Sequence, residues 1–162
     1  MKFWFDTEFY ENGETIRLIS IGVIAEDGRT YYAETQHAED WACATDWLVA
    51  NVKPHLRGPR IERKQIGRDL IEFMGENPEI WAYYADYDWV ALCQIFGTMM
   101  NLPKGWPMFC RDVKQRCDAL GNPKLPEQES GEHDALADAI WTKKAWEFLN
   151  EPRQVFNSLR ER

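Results

Sequence analysis

The stretch Met1-Lys2-Phe3-Trp4-Phe5-Asp6-Thr7-Glu8-Phe9 decides how the chain is read. It is short, aromatic and nearly free of helix formers, so it reads as a β-strand. Alternate side chains of a strand share a face, which points Asp6 and Glu8 the same way. At strand rise their Cα atoms lie about 6–7 Å apart. Two carboxylates at the end of an apolar strand repel each other unless a cation lies between them. Mg²⁺ is the simplest candidate, because it takes oxygen ligands and keeps positions open for water and phosphate. The other ligands must then come from elsewhere in the chain.

Working outward, residues 11–14 form a turn and residues 17–25 a second strand, apolar enough to be buried on both faces. Asp27-Gly28 makes a tight hairpin, and Thr30–Thr35 is a third strand. Short turns make these three an antiparallel meander. Helical spacing then takes over. It runs over 39–52 through Trp41, Ala44, Leu48 and Val52, with Pro54 as the stop, and over 61–75 through Ile66, Leu70, Phe73 and Met74, closed by Gly75. Residues 79–85 read as a fourth strand, followed by a helix through Val90, Leu92, Cys93 and Phe96. Residues 108–110 read as a fifth strand, 111–120 as a helix, 122–132 as a polar loop and 134–149 as a last long helix. The predicted fold is α/β: a mixed five-stranded sheet, three antiparallel meander strands plus two parallel ones, flanked by helices. Residues 1–150 are read as one domain and 151–162 as a charged tail.

The net charge of −8 speaks against a long phosphate-neutralising footprint. It is compatible with a small acidic site that recruits metal and works on a chain end. Lys53, His55, Arg57, Arg60, Arg63, Lys64 and Arg68 are the densest positive run. The eight Trp, eight Phe and six Tyr read mainly as core, with a few rings left as stacking platforms for nucleobases. The four cysteines show no C-x-x-C spacing, which removes a zinc site and a disulfide framework from consideration. The N-terminus runs straight into the strand, and no apolar run reaches transmembrane length. The expected setting is the cytoplasm, away from membranes.

Three further residues carry chemistry. Asp88 follows a buried strand and opens a helix, where a plain N-cap is the competing reading for it and for Asp86. Asp138 lies early in the last helix, four residues after the N-cap candidate Asp134 and among Ala135, Ala137 and Ala139, whose small side chains allow close approach. His133 precedes that cap on a loop, with the near-neutral titration suited to a general base.

In this order and on this sheet pattern, the set resembles the DEDDh family of 3′–5′ exonucleases. Phe5-Asp6-Thr7-Glu8-Phe9 is similar to the first family motif, Tyr87-Asp88-Trp89-Val90-Ala91-Leu92 to the second, and His133-Asp134-Ala135-Leu136-Ala137-Asp138-Ala139 to the third. Around the second motif the chain departs from the common Asn–Ala pattern with Tyr84-Ala85-Asp86-Tyr87-Asp88; the Tyr-Asp pair and the helix after it favour Asp88. A closer likeness is to the RNase AS group of polyadenylate-specific 3′–5′ exoribonucleases. It is carried by the first motif, Leu18-Ile19-Ser20-Ile21-Gly22-Val23, Ala25-Glu26-Asp27-Gly28-Arg29, Asp88-x-Val90-Ala91-Leu92-Cys93-Gln94 and His133-Asp134-Ala135-Leu136.

The resemblance implies a ribonuclease H-like fold and two Mg²⁺ ions, with Mn²⁺ as a substitute, about 3.5–4 Å apart. It implies Asp6 as the bridge between the ions, Glu8 and Asp138 on the nucleophile-side ion, Asp88 on the other, and His133 as the base. It implies substrate contacts at Thr7 and Phe9. Ser20 reads either as a border to the last nucleotide or as a small core residue. The implied substrate is the 3′ end of single-stranded RNA, adenylate-containing by likeness alone, and the implied assembly is a homodimer. A single-stranded DNA exonuclease and a non-catalytic RNA-binding module are the alternative readings. An HD-type phosphohydrolase is disfavoured, because such a site needs several His ligands and only His37 and His55 remain.

Overall fold

The first strand, β1 (Lys2–Glu11), lies in the interior of one mixed sheet. The computed structural model of the protein describes residues 1–39 and 44–151. β2 (Ile16–Ala25) returns antiparallel to β1, through a turn in which Asn12 Oδ1 accepts from the N–H groups of Glu14 (3.1 Å) and Thr15 (2.9 Å). β3 (Thr30–Thr35) pairs antiparallel with β2 and completes the meander. On the other side of β1, β5 (Glu79–Ala82) is parallel to it and β6 (Arg111–Asp112) is parallel to β5. With β4 at Arg60–Ile61, the order is β4-β3-β2-β1-β5-β6.

The predicted α/β architecture is present, with one more strand than the five expected. The addition is β4 (Arg60–Ile61), parallel to β3. Two residues after Pro59 are too few to show a strand period in sequence. The strand expected at 108–110 forms instead at Arg111–Asp112, and the helix expected from 111 begins at Val113. Met108 and Phe109 face solvent rather than the core, and Asp112 caps the next helix by accepting from Lys114 N. The strand expected over 79–85 stops at Ala82, because Tyr84 turns the chain with a positive φ of 55°.

Helices cover both faces. On one, α2 (Arg63–Met74) and α3 (Asp86–Ile95) pack Ile66, Leu70, Leu92 and Ile95 against Phe3 and Phe5. On the other, α4 (Val113–Ala119) and α5 (Ala135–Asn150) pack Val113, Cys117, Ala139 and Leu149 against Trp4. Each fully buried large side chain of this kind contributes about 1.5–3 kcal/mol. The helix expected over 39–52 is shorter: a 3₁₀ turn at Gln36–Glu39, then α1 (Asp46–Asn51) capped by Thr45, while Trp41 lies outside the described residues. Among the described residues no helix is long and apolar enough to cross a membrane.

One close approach fixes where α5 begins. Gly22 of β2 lies directly opposite Asp6 in the β1–β2 ladder. A Cβ at Gly22 would stand 2.3 Å from the backbone of Ala135 and Leu136. The first turn of α5 therefore rests on bare backbone beside Asp6. Gly22→Ala should lower the unfolding free energy by about 1–3 kcal/mol or more, as overpacking does. Gly67→Ala in α2, where a Cβ would meet only side chains at 3.4 Å or more, should cost less. Paired urea melts of the two variants check this.

Candidate active site

Strand alternation puts Asp6 and Glu8 on the same face as Trp4, the face covered by α5. Asp6 pairs with Gly22 and Glu8 with Ser20, and a register shift between Glu8 and Phe9 ends the regular ladder there. Glu8 is 9% exposed, Ser20 is buried and Asp6 is half-buried. These carboxylates stand beyond the part of β1 that β5 covers, since the β5 pairing reaches only Trp4 opposite Trp81.

Asp88 fills the freed edge. Its Oδ1 accepts from the backbone N–H of Thr7 (2.9 Å) and from the Thr7 hydroxyl (2.5 Å). The N-cap reading of Asp88 and Asp86 does not hold: the N-cap is Ala85, without a side-chain cap, and both acids lie in the first turn of α3. Asp88 is 6% exposed while Asp86 is open to solvent, so only Asp88 reaches the strand. A carboxylate in the first turn is also favoured by the helix dipole.

Asp138 comes from the first turn of α5, whose N-cap is Asp134, as the sequence predicts. Its Oδ2 accepts from the backbone N–H of His133 (2.8 Å) and its Oδ1 from the Gln128 side-chain amide (2.6 Å). His133 adopts a positive φ of 68°, uncommon for a non-glycine residue. Donor atoms of Glu8, His133 and Asp138 all lie within 4.8 Å of one another. Against the His133 imidazole stands the indole of Trp47 from α1, edge-on with ring centres 4.7 Å apart. Trp47 is otherwise 51% exposed.

Burial and neighbouring acids raise the carboxyls of the site. Burial, then the charges of Asp138, Asp88 and Asp134, push Glu8 up to about 8. Burial, then Asp88, Glu8, Asp138 and Asp134, holds Asp6 well above the carboxylate range. Burial raises Asp88 to about 6 against the two hydrogen bonds from Thr7. Asp138 is raised by burial, with Gln128 and the His133 N–H opposing. Asp134 is the contrast: burial pushes it up, but its ion pair with Arg57 and the N–H groups of Ala137 and Leu136 outweigh this and hold it low. The charges that act most strongly on Asp6 are all carboxylates. Of the acids, Glu8 and Asp138 stand with His133 in a group compact enough to hold an ion, while Asp6 and Asp88 lie near enough to interact with it through their charges; an oxygen-rich set of this kind suits Mg²⁺ or Mn²⁺.

Beside the acids lies an aromatic wall. Phe9 and Tyr87, each next in sequence to a candidate ligand, stack with centres 5.7 Å apart and planes 8° from parallel. Tyr87 also lines a cleft of about 340 Å³ with Ile16, Asp86 and Val90. On the opposite flank part of the basic run is consumed: Arg57 pairs with Asp134 and lies over the Tyr32 ring (3.9 Å). The N–H groups of Arg57 and Gly58 donate to the fully buried Glu34.

Sequence reading did not assign the grip of Thr7 on Asp88, of Gln128 on Asp138, or the packing of Trp47 on His133. The first had a signal, because a hydroxyl between Asp6 and Glu8 must face away from them. The other two pair residues from unrelated segments, and nothing local marks them.

A sequence model of the Rv2179c-like family, described as the 3′-5′ exoribonuclease Rv2179c-like domain, matches residues 1–150. The 3′-5′ exoribonuclease Rv2179c of Mycobacterium tuberculosis (strain ATCC 25618 / H37Rv) is 44% identical over 147 residues, 86% of this chain and 87% of that protein. The 3′-5′ exoribonuclease MT2234.1 of strain CDC 1551 / Oshkosh matches to the same extent. Among solved structures, exonuclease I superposes with a TM-score of 0.64 at 16% identity, over 96% of this chain and 42% of that chain. A product-bound exonuclease I gives a TM-score of 0.63 at 14% identity, over 96% and 45%. This chain therefore spans less than half of the exonuclease I chains, and at such identity the likeness shows the fold alone. By its family match and its 44% identity to named relatives over most of its length, the chain belongs to the Rv2179c-like 3′-5′ exoribonuclease family.

Proposed function

We propose that this protein is a metal-dependent 3′–5′ exoribonuclease that releases mononucleotides from single-stranded RNA, with preference for adenylate-containing 3′ ends. The observation that carries the reading is the crowding of Asp6, Glu8, Asp88 and Asp138, which burial and mutual charge push upward. The relatives named as exoribonucleases support the reaction class. The adenylate preference rests on the likeness of the motifs to the RNase AS group.

Asp6, Glu8, Asp88 and Asp138 are the residues that would hold the divalent ions. When bound, such ions stabilise the attacking and leaving oxygens of phosphodiester hydrolysis and cancel the repulsion between these acids and the phosphate. The remaining work falls to side chains of this chain. His133 takes the proton of the attacking water at an imidazole nitrogen, from a loop whose place is fixed by Asp138 and Trp47. Thr7 holds Asp88 at the edge of β1 through its N–H and its hydroxyl. The Phe9–Tyr87 stack offers an apolar face to a base of the departing end. The bond broken is that from phosphorus to the 3′ oxygen, which leaves a shortened 3′ hydroxyl end and a nucleoside 5′-monophosphate.

Asp6→Ala should abolish Mg²⁺-dependent release of mononucleotides, and His133→Ala should slow it by about 10²–10⁴-fold, the range for a lost general base. Full activity in Asp6→Ala would remove the metal assignment. Run with native protein on oligo(A), oligo(U), oligo(C) and deoxy-oligo(A), with and without EDTA, the same assay should give the fastest release from oligo(A). Equal rates on all four would remove the adenylate preference.

Stability carries a separate signature. A carboxylate whose folded pKa lies above its unfolded one binds more protons when folded, so its contribution is present at low pH and is lost as pH rises. For Glu8 that window runs from the ordinary 4.5 to about 8. Metal-free protein should lose stability across it, and Mg²⁺, which needs the ionised acids, should restore it. Thermal melts should show a larger Mg²⁺ increment at about pH 8 than at about pH 5. Equal increments would contradict the acid cluster as the binding site.

A further inference from the structure

The loop between α4 and α5 is fastened to α5 at three points. Trp141 Nε1–H donates to the carbonyl of Pro126 (2.9 Å). Gly131 lies so close that a Cβ there would stand 2.8 Å from the Ala137 Cβ. Between these, Gln128 Nε2–H donates to Asp138 Oδ1 at 2.6 Å. The first two contacts explain how the loop lies down on the helix, and neither explains why its polar side chain at 128 turns inward to a carboxylate of the site.

We propose that Gln128 is a positioning residue that orients Asp138 for metal binding. This rests on the reading of Asp138 as a metal ligand. Asp138 projects from a helix whose neighbours Ala135, Ala137 and Ala139 carry no polar group to steady it. Its two oxygens are instead held one each, Oδ1 by Gln128 and Oδ2 by the His133 N–H. A carboxylate oxygen has two acceptor directions, so each oxygen keeps one for a cation while the plane of the group is fixed. The neutrality of the amide matters. A lysine or arginine at 128 would orient Asp138 equally well but would cancel the charge that a divalent ion needs, and would compete with it. A glutamine steers the ligand and leaves its charge available. Partners of this kind, when removed, change metal affinity by about 10–100-fold.

The test is calorimetric titration of Mn²⁺ and Mg²⁺ into native protein, Gln128→Met and Gln128→Ala, without substrate. Met keeps the bulk and lacks the donor. Both variants should bind metal about 10–100-fold more weakly, and their turnover should recover at saturating metal. A purely structural loop contact would lower the melting temperature and leave metal affinity alone. In native protein, the Gln128 side-chain amide resonances should shift in step with Mg²⁺ occupancy. Native binding with unchanged affinity in both variants, or a Gln128 amide that ignores Mg²⁺, overturns this inference and leaves the metal reading standing. No binding by native protein overturns both.

Discussion

Like charges do not gather inside a protein unless the fold forces them to, and here four carboxylates are forced together from three elements. Asp6 and Glu8 share a face of β1 because strands alternate. Asp88 is drawn onto the edge of β1 by a backbone amide and a hydroxyl of Thr7. Asp138 arrives because α5 can rest its first turn on Gly22, directly opposite Asp6. Burial first, and neighbouring carboxylates after it, push Glu8, Asp6 and Asp88 upward. The offset comes from the two apolar layers, Phe3 and Phe5 below and Trp4 with α5 above. A core of that size can carry a locally unfavourable site, and such sites are where function concentrates.

Asp134 shows that position alone does not set a role. It stands one turn before Asp138 on the same helix, yet Arg57 and the amides of Leu136 and Ala137 hold it low, while Asp138 is raised. Asp134 therefore acts as cap and tether, binding the segment around Arg57 to the start of α5. The same segment encloses Glu34, whose carboxylate accepts from Tyr32, Arg57 and Gly58. This network braces the flank of the site where Trp47 meets His133. In the proposed reaction, the base is thus supported from α1 and the metal ligand from the loop that carries Gln128.

Much of this was legible in the chain because the governing signals are local. Alternation and the turns at Asn12 and Asp27-Gly28 fix the meander. The alanines around Asp138 announce close packing. Elements that depend on partners distant in sequence leave no local signal. β4 exists only because Arg60 and Ile61 find β3, and two residues show no period. Met108 and Phe109 look like a strand but face solvent, which moves β6 to Arg111–Asp112. In sequence Asp88 also suits a helix cap, but the cap is Ala85 and Asp88 is held by Thr7. Gln128 and Trp47 sit in a polar loop and a short helix, and their meaning comes from residues that the fold brings to them.

The central claim is that the acid cluster is a divalent metal centre. The most direct measurement is anomalous diffraction from crystals of the protein soaked in Mn²⁺. The account predicts peaks among Asp6, Glu8, Asp88 and Asp138, and their loss in Asp6→Asn. Fully ordered carboxylates with no peak among them, at Mn²⁺ concentrations that support turnover, would contradict it.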